Sequence, residues 1–245
     1  MRSLKESLLN SQENYLFERN AGVVEASVEE YINDNYDVDG KLTFYPSIKN
    51  NQVSYVVNCD GDVKVTNGTM PKLTEGFVWG EVEGDFDCSA AGITSLEGAP
   101  EKVGGNFDCH SIYGLKTLEG APKEVGGHFD CSNCPWFISL EGAPEIVEGN
   151  FDCHNSPRLT SLKGAPKEVG DRFDCSNCKS LKSLEGAPER VKGSFYCNNC
   201  KSLKSLKGAP KEVGDVFGCK FCEKLQSLEG APKKVGTLEC DARLK

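Results

Sequence analysis

Four cysteine pairs have the Cys-x-x-Cys spacing: Cys131/Cys134, Cys175/Cys178, Cys197/Cys200 and Cys219/Cys222. Pairs of this kind supply thiolate ligands to zinc. At a helix N-terminus, which lowers a thiol pKa, they form a redox couple instead. Three histidines, His110, His128 and His154, accompany Asp108, Asp130 and Asp152, the residue types of a hydrolytic or metal site. No Gly-Lys-Ser/Thr phosphate loop occurs, and no serine or cysteine nucleophile is placed beside a base.

The cysteines obey a larger period. Aromatic residues recur at Phe86, Phe107, Phe129, Phe151, Phe173, Phe195 and Phe217, at intervals of 21 or 22 residues, with a degenerate start at Leu238. With the aromatic as position zero, position +2 is always Cys: Cys88, Cys109, Cys131, Cys153, Cys175, Cys197, Cys219 and Cys240. The second cysteine of each pair falls at +5, where other copies carry Ala91, Ile112 or Ser156. A ligand set would not accept alanine or isoleucine, so the thiols are expected to be small buried hydrophobes. Zinc held between the fifth to seventh copies stays an alternative.

A period of this size implies a solenoid whose units pack on their neighbours. Positions zero and +2 share one face of a strand and +1 takes the other. Phe and Cys therefore point inward, and Asp87, Asp108, Asp130, Asp152, Asp174 and Tyr196 point outward. Three further apolar columns follow: one around Leu115, Leu159 and Leu181, with Phe137 in the same place; one from Leu96 to Leu228; and one from Val103 to Val235. The Gly-Ala-Pro of each copy disfavours helix. The return segments should be irregular, extended or short 3₁₀. The glycines after each column valine are expected to turn the chain into the next strand.

The core Phe-x-Cys-x-x-Cys/Asn-x-x-Leu resembles the leucine-rich repeat signature, in its cysteine-containing form. The longer motif Leu-Glu-Gly-Ala-Pro-Lys-Glu-Val-Gly-Gly-x-Phe-Asp-Cys-Ser-Asn is similar to repeats in proteins of tailed bacteriophages and some bacteria. The resemblance covers roughly residues 63–245. It departs from the family in one respect: the apolar valine lies four residues before the aromatic, where the family has leucine three before. A right-handed parallel β-helix is the structural alternative.

The expected fold is α+β and mostly β: a leucine-rich-repeat-like solenoid with a parallel sheet on one face, capped by a short helix and a hairpin. Residues 1–62 form the cap and 63–245 the solenoid. In the cap, Leu4, Leu8 and Leu9 have helical spacing, and Ser27-Val-Glu-Glu30 reads as a capping box opening a helix over about 27–35. Lys41 to Tyr45 alternates like a strand, and Asp60-Gly61 reads as a hairpin turn between 53–58 and 62–66. Val63 and Val65 start a coil zero, and Phe77-Val78-Trp79 packs the cap.

Net charge is −9, split into about −15 over residues 1–150 and about +6 over 151–245. No apolar run is long enough to cross a membrane. The N-terminus is too polar for a signal peptide, so the expected location is cytoplasmic, with reduced thiols.

Beneath a constant frame, positions −1, +1 and +3 vary: Asn106/Asp108/His110, His128/Asp130/Ser132, Asn150/Asp152/His154, Arg172/Asp174/Ser176 and Ser194/Tyr196/Asn198. A fixed frame with a variable exposed face implies a binding surface. Trp136, one residue off the core column, is either a contact anchor or lies flat on its neighbours. The expected function is a non-enzymatic protein-binding scaffold without a cofactor, using the strand face against an intracellular protein. The phage-like resemblance implies a phage-encoded protein that neutralises a host protein. Two readings stay open beside it: a nucleic-acid mimic or nucleic-acid-associated protein, with direct binding disfavoured by the Asp ladder, and a zinc or redox protein.

Overall fold

The computed structural model describes residues 24–49, 52–70 and 72–244. The arm carrying Leu4, Leu8 and Leu9 lies outside them. The chain is mostly β, a solenoid of stacked coils joined by parallel pairing, with one short helix followed by a hairpin at its N-terminal end.

Each coil contributes two short strands, not one. The Phe strands pair in exact repeat register, Phe86↔Phe107↔Phe129↔Phe151↔Phe173↔Phe195↔Phe217. A second column pairs Val82↔Val103↔Val125↔Val147↔Val169↔Val191↔Val213↔Val235. The three-residue segment between valine and aromatic is the corner between the columns. This is why the valine stands one residue further from the aromatic than in a leucine-rich repeat: it belongs to its own strand.

The inward positions are those expected from the repeat. Column residues Phe86 to Phe217, Leu96 to Leu206 and Val103 to Val213 are buried, as are the thiols. The phenyl rings stack face to face along the axis with centroids 5.1–5.6 Å apart. That spacing lies within the favourable range for aromatic pairs. No coil could hide its Phe, Cys, Leu and Val alone; each is covered by the coils above and below.

The returns contain turns and bends without helix. The glycines of Gly-Ala-Pro take positive φ, from Gly98 at 93° to Gly230 at 89°. The glycines at the corner do not. There the need is for space: a Cβ on Gly104 would lie 2.2 Å from the Glu83 carbonyl oxygen. The expectation that corner glycines supply the turning conformation is corrected accordingly.

At the N-terminal end, residues 24–35 are helical, with Val28 and Ile32 buried against the first coils. β1 (Tyr36–Asp39) and β2 (Leu42–Lys49) run antiparallel to β4 (Asp62–Val65) and β3 (Gln52–Cys59). The register is continuous, from Lys49↔Gln52 to Tyr36↔Val65. This is one long hairpin closing beyond Lys49 and Gln52, so Asp60-Gly61 is not its turn. Gly40 and Gly61 face each other where both arms bend, and a Cβ on Gly61 would collide with the Asp39 carbonyl at 1.7 Å. The bend carries the hairpin around the coil corner: β3 joins the Val column through Cys59↔Val82, and β4 joins the Phe column through Val63↔Phe86. Phe77 and Trp79 are buried in β5 (Phe77–Val82), while Val78 is exposed. Edge-on ring contacts link Tyr31, Phe77, Trp79, Tyr36 and Phe86, sealing that end.

Candidate functional site

The thiols are sealed inside. All 13 cysteines are free and buried. Each +5 thiol donates to the carbonyl of the +2 cysteine one coil earlier: Cys134 to Cys109 at 3.7 Å, Cys178 to Cys153 at 3.4 Å, Cys200 to Cys175 at 3.2 Å and Cys222 to Cys197 at 3.1 Å. Burial pushes the Cys88, Cys109, Cys131, Cys153, Cys175 and Cys178 thiols well up, and Cys134 to about 11. Cys222 goes the other way, because it bonds to Cys197. Neutral thiols that serve as donors are poor ligands and poor nucleophiles.

The outward strand residues do structural work that their sequence variation conceals. At +1, each aspartate accepts the N–H of the residue two further on: Asp87 from Ser89, Asp108 from His110, Asp130 from Ser132, Asp152 from His154 and Asp174 from Ser176, at 2.8–3.0 Å. These are Asx turns. They lead into position +4, where Ala90, Ser111, Asn133, Asn155, Asn177, Asn199 and Phe221 all take positive φ. Where Tyr196 or Gly218 replaces the aspartate, a neighbouring coil supplies the acceptor: Ser176 Oγ for Asn198 at 3.3 Å and Asn198 Oδ1 for Lys220 at 2.8 Å.

At −1, the side chain accepts the N–H of the −1 residue in the next coil. Asp85 takes it from Asn106 (2.6 Å), Asn106 from His128 (2.8 Å), His128 Nδ1 from Asn150 (2.9 Å) and Asn150 from Arg172 (3.0 Å). The variation there is among acceptors. Arg172 breaks the series; it has no acceptor, and its Nη2 turns to Asp152 at 3.5 Å.

His110 and His154 each hold Nδ1 against the aspartate two residues earlier, at 2.7 and 2.6 Å. Their side chains are 38% and 31% exposed. Ser132 lies between them in the +3 column and is buried. Burial pushes Asp108 and Asp152 up. Burial also opposes charge on His110, but the Asp108 carboxylate outweighs it and raises the imidazole. Burial pushes Asp87 up too, yet bonds from Ser89 and Lys64 hold it below the usual carboxylate range. Asp108, His110 and Asp130 offer ligand atoms within 4.8 Å of one another, the one such group of three among the described residues. Its carboxylates already accept the N–H groups of His110 and Ser132.

Trp136 lies apart from the strand face, on the flank beyond the positive-φ turn. It is 47% exposed, and the Arg158 guanidinium sits 3.9 Å from its ring centroid. One ring face is covered by a neighbour and the rest is open. Tyr113 and Ile138, which the sequence reading passed over, are exposed on the same flank of coils two and three. The signal was available, because both lie outside the core columns.

The return face carries ladders of opposite charge between successive coils. Lys123 meets Glu101 at 2.6 Å, Lys163 meets Glu141 at 2.9 Å and Lys211 meets Glu189 at 2.6 Å. Arg190 bridges Glu168 and Glu212.

No helix of the described residues is long and apolar enough to cross a membrane. No family model, no curated protein and no solved structure matches the chain.

Proposed function

We propose that this chain is a non-enzymatic scaffold that binds another protein through its exposed side chains. The carrying observation is the exposed set Tyr113, Trp136 and Ile138, with Arg158 on Trp136, on a frame that hides every repeat aromatic. Trp, Tyr and Arg are the residues most enriched where binding energy concentrates. These side chains belong to coils two to four, which also carry His110 and His154, so flank and strand face would act together there. The resemblance of the repeats to leucine-rich repeats, and to tailed-phage proteins, supports a host protein in the cytoplasm as the target. The sealed thiols weigh against a zinc or redox role.

The test compares affinity capture from host cells by the wild-type chain and by a Tyr113→Ala/Trp136→Ala variant. A protein held by the first and lost by the second, with unchanged thermal melting, supports the reading. Equal capture by both, under conditions where Asp130→Asn also changes nothing, would remove it.

A further inference from the structure

The two ends of the stack are closed differently. At the N-terminal end the helix over residues 24–35 buries Val28 and Ile32. The outer hairpin arm β2 also carries Pro46, which has no N–H to offer another strand. At the other end the last strand, Lys234–Glu239, pairs through one edge with the preceding strand, Glu212–Gly218. Among the described residues, no strand pairs with its second edge. An unpaired edge is a template for another strand. The chain after it turns back to coil seven: Arg243 donates to the Cys222 and Leu225 carbonyls, at 2.6 Å each, and the 3₁₀ turn Ala242–Leu244 buries no side chain. Val235 and Leu238 are left half-buried, whereas Val213 and Phe217, in the same columns one coil earlier, are buried.

This strand is its own complement. Lys-Val-Gly-Thr-Leu-Glu reads from either end as charged, apolar, small, small, apolar and oppositely charged. Laid antiparallel on a second copy, about a two-fold axis between Gly236 and Thr237, it sets Lys234 opposite Glu239, Val235 opposite Leu238 and Gly236 opposite Thr237. Opposite charges and apolar side chains facing each other across strands are stabilising. Within the chain Lys234 already meets Glu212 at 3.8 Å and Glu239 meets Lys220 at 2.8 Å. The second copy would place each between two opposite charges. The corner fits as well. Two residues separate Val235 from Leu238, against three between Val213 and Phe217, and the register slips there. Two copies of the shorter corner match without a slip.

We infer that the chain forms a homodimer, tail to tail, through the free edge of Lys234–Glu239. The contact is isologous, so it closes at two copies. Head-to-tail stacking is opposed by charge: Asp37 pairs with Lys64 and so heads the +1 column, and a copy added there would set Glu239 against it. The dimer joins two stacks into one longer core and presents the Trp136 flank of coils two to four twice. One coil against one coil is a small contact, so dissociation at about 1 to 100 µM is expected.

Sedimentation of the full chain under reducing conditions, from about 1 to 300 µM, should show monomer passing to dimer and nothing larger. Lys234→Glu and Glu239→Lys should each weaken the dimer about tenfold or more. Lys234→Glu/Glu239→Lys should restore it, since opposite charges face each other again. The double variant keeps both like-charge contacts that the single variants create with Glu212 and Lys220, so recovery reports on pairing between copies alone. Amide exchange over residues 234–239 should slow as concentration rises, and over residues 36–49 it should not. A monomer throughout, a dimer untouched by the single variants, or no recovery in the double variant would overturn the inference. Growth beyond two copies, or concentration-dependent protection over residues 36–49, would overturn it in favour of head-to-tail stacking. If a charge variant lowers the melting temperature, the exchange profile of the wild-type chain decides.

Discussion

The thiol of Cys178 donates to the carbonyl of Cys153, 3.4 Å away in the preceding coil. The same bond is missing one coil earlier, where Ser156 takes the position. Its hydroxyl is buried and has no hydrogen-bond partner. An oxygen sits closer to its Cβ than a sulfur does, so it stops short of a carbonyl that the longer thiol reaches. Ser156→Cys should therefore raise the unfolding free energy by about 1 kcal/mol, and Ser156→Ala by somewhat less, because an unmade buried bond is relieved in both. Denaturant midpoints under reducing conditions measure this. A loss of stability in both variants would show that the hydroxyl is satisfied.

Position +4 makes the next prediction. Asparagine tolerates positive φ better than other side chains, and the Asn155 and Asn199 amides donate to Asn133 and Asn177, at 3.0 and 2.6 Å. Phe221 holds the same backbone at φ 62° without that aptitude, and its ring is 66% exposed. Phe221→Gly should stabilise the last full coil by about 1 kcal/mol, and Phe221→Asn comparably. Amide exchange in coil seven reads this locally. If exchange there speeds up, the ring is packing against something the fold needs.

The aspartate ladder predicts a split between two replacements. Asp130 Oδ1 accepts the Ser132 N–H at 2.8 Å, a bond that an asparagine oxygen can also accept. Asp130→Asn should be close to neutral, whereas Asp130→Ala should cost about 1 kcal/mol. Charge reversal to lysine loses the same bond, so it tests folding and binding together; the asparagine variant tests charge alone. Equal destabilisation by Asn and Ala would mean the carboxylate charge, not the turn, matters.

Much of this architecture was legible because burial repeats with the period. Phe, Cys, Leu and Val columns can be read directly, since each inward site must be apolar in every coil. The second strand column was harder. Its strands are two residues long with one inward valine, so they carry no alternation to detect. Asp60-Gly61 misled because Asp-Gly is a strong turn signal, while here the glycine meets Gly40 at a bend between two sheet columns. The candidate face was half legible. Asp, Asn and His at −1 and +1 look like recognition residues, yet they accept backbone N–H groups, at +1 within their own turn and at −1 only once the next coil is in place. Trp136 was readable as an off-column aromatic, and Arg158 as its neighbour, since it holds the same position one coil later.

The Asp108–His110 pair gives the stability a dependence on pH. His110 is raised above its ordinary 6.5, against the opposing effect of burial, by its bond to the Asp108 carboxylate. A base whose pKa is higher in the folded chain binds more protons there, so its contribution is fully present below 6.5 and fades as pH rises through the folded value. Asp108, raised by burial, acts in the same direction at lower pH, its contribution fading as pH climbs past the ordinary carboxylate range. Asp87 acts oppositely: its lowered pKa gives a contribution present above 3.8 and lost in stronger acid. The melting temperature should therefore decline modestly from slightly acidic to slightly alkaline solution, and His110→Gln should flatten that slope while strengthening the Asp108 contribution at lower pH, because the imidazole also holds that carboxyl down. A slope unchanged in the variant would show that the imidazole is not charged beside Asp108. An imidazole titration followed by NMR would then have to place His110 at or below its ordinary value.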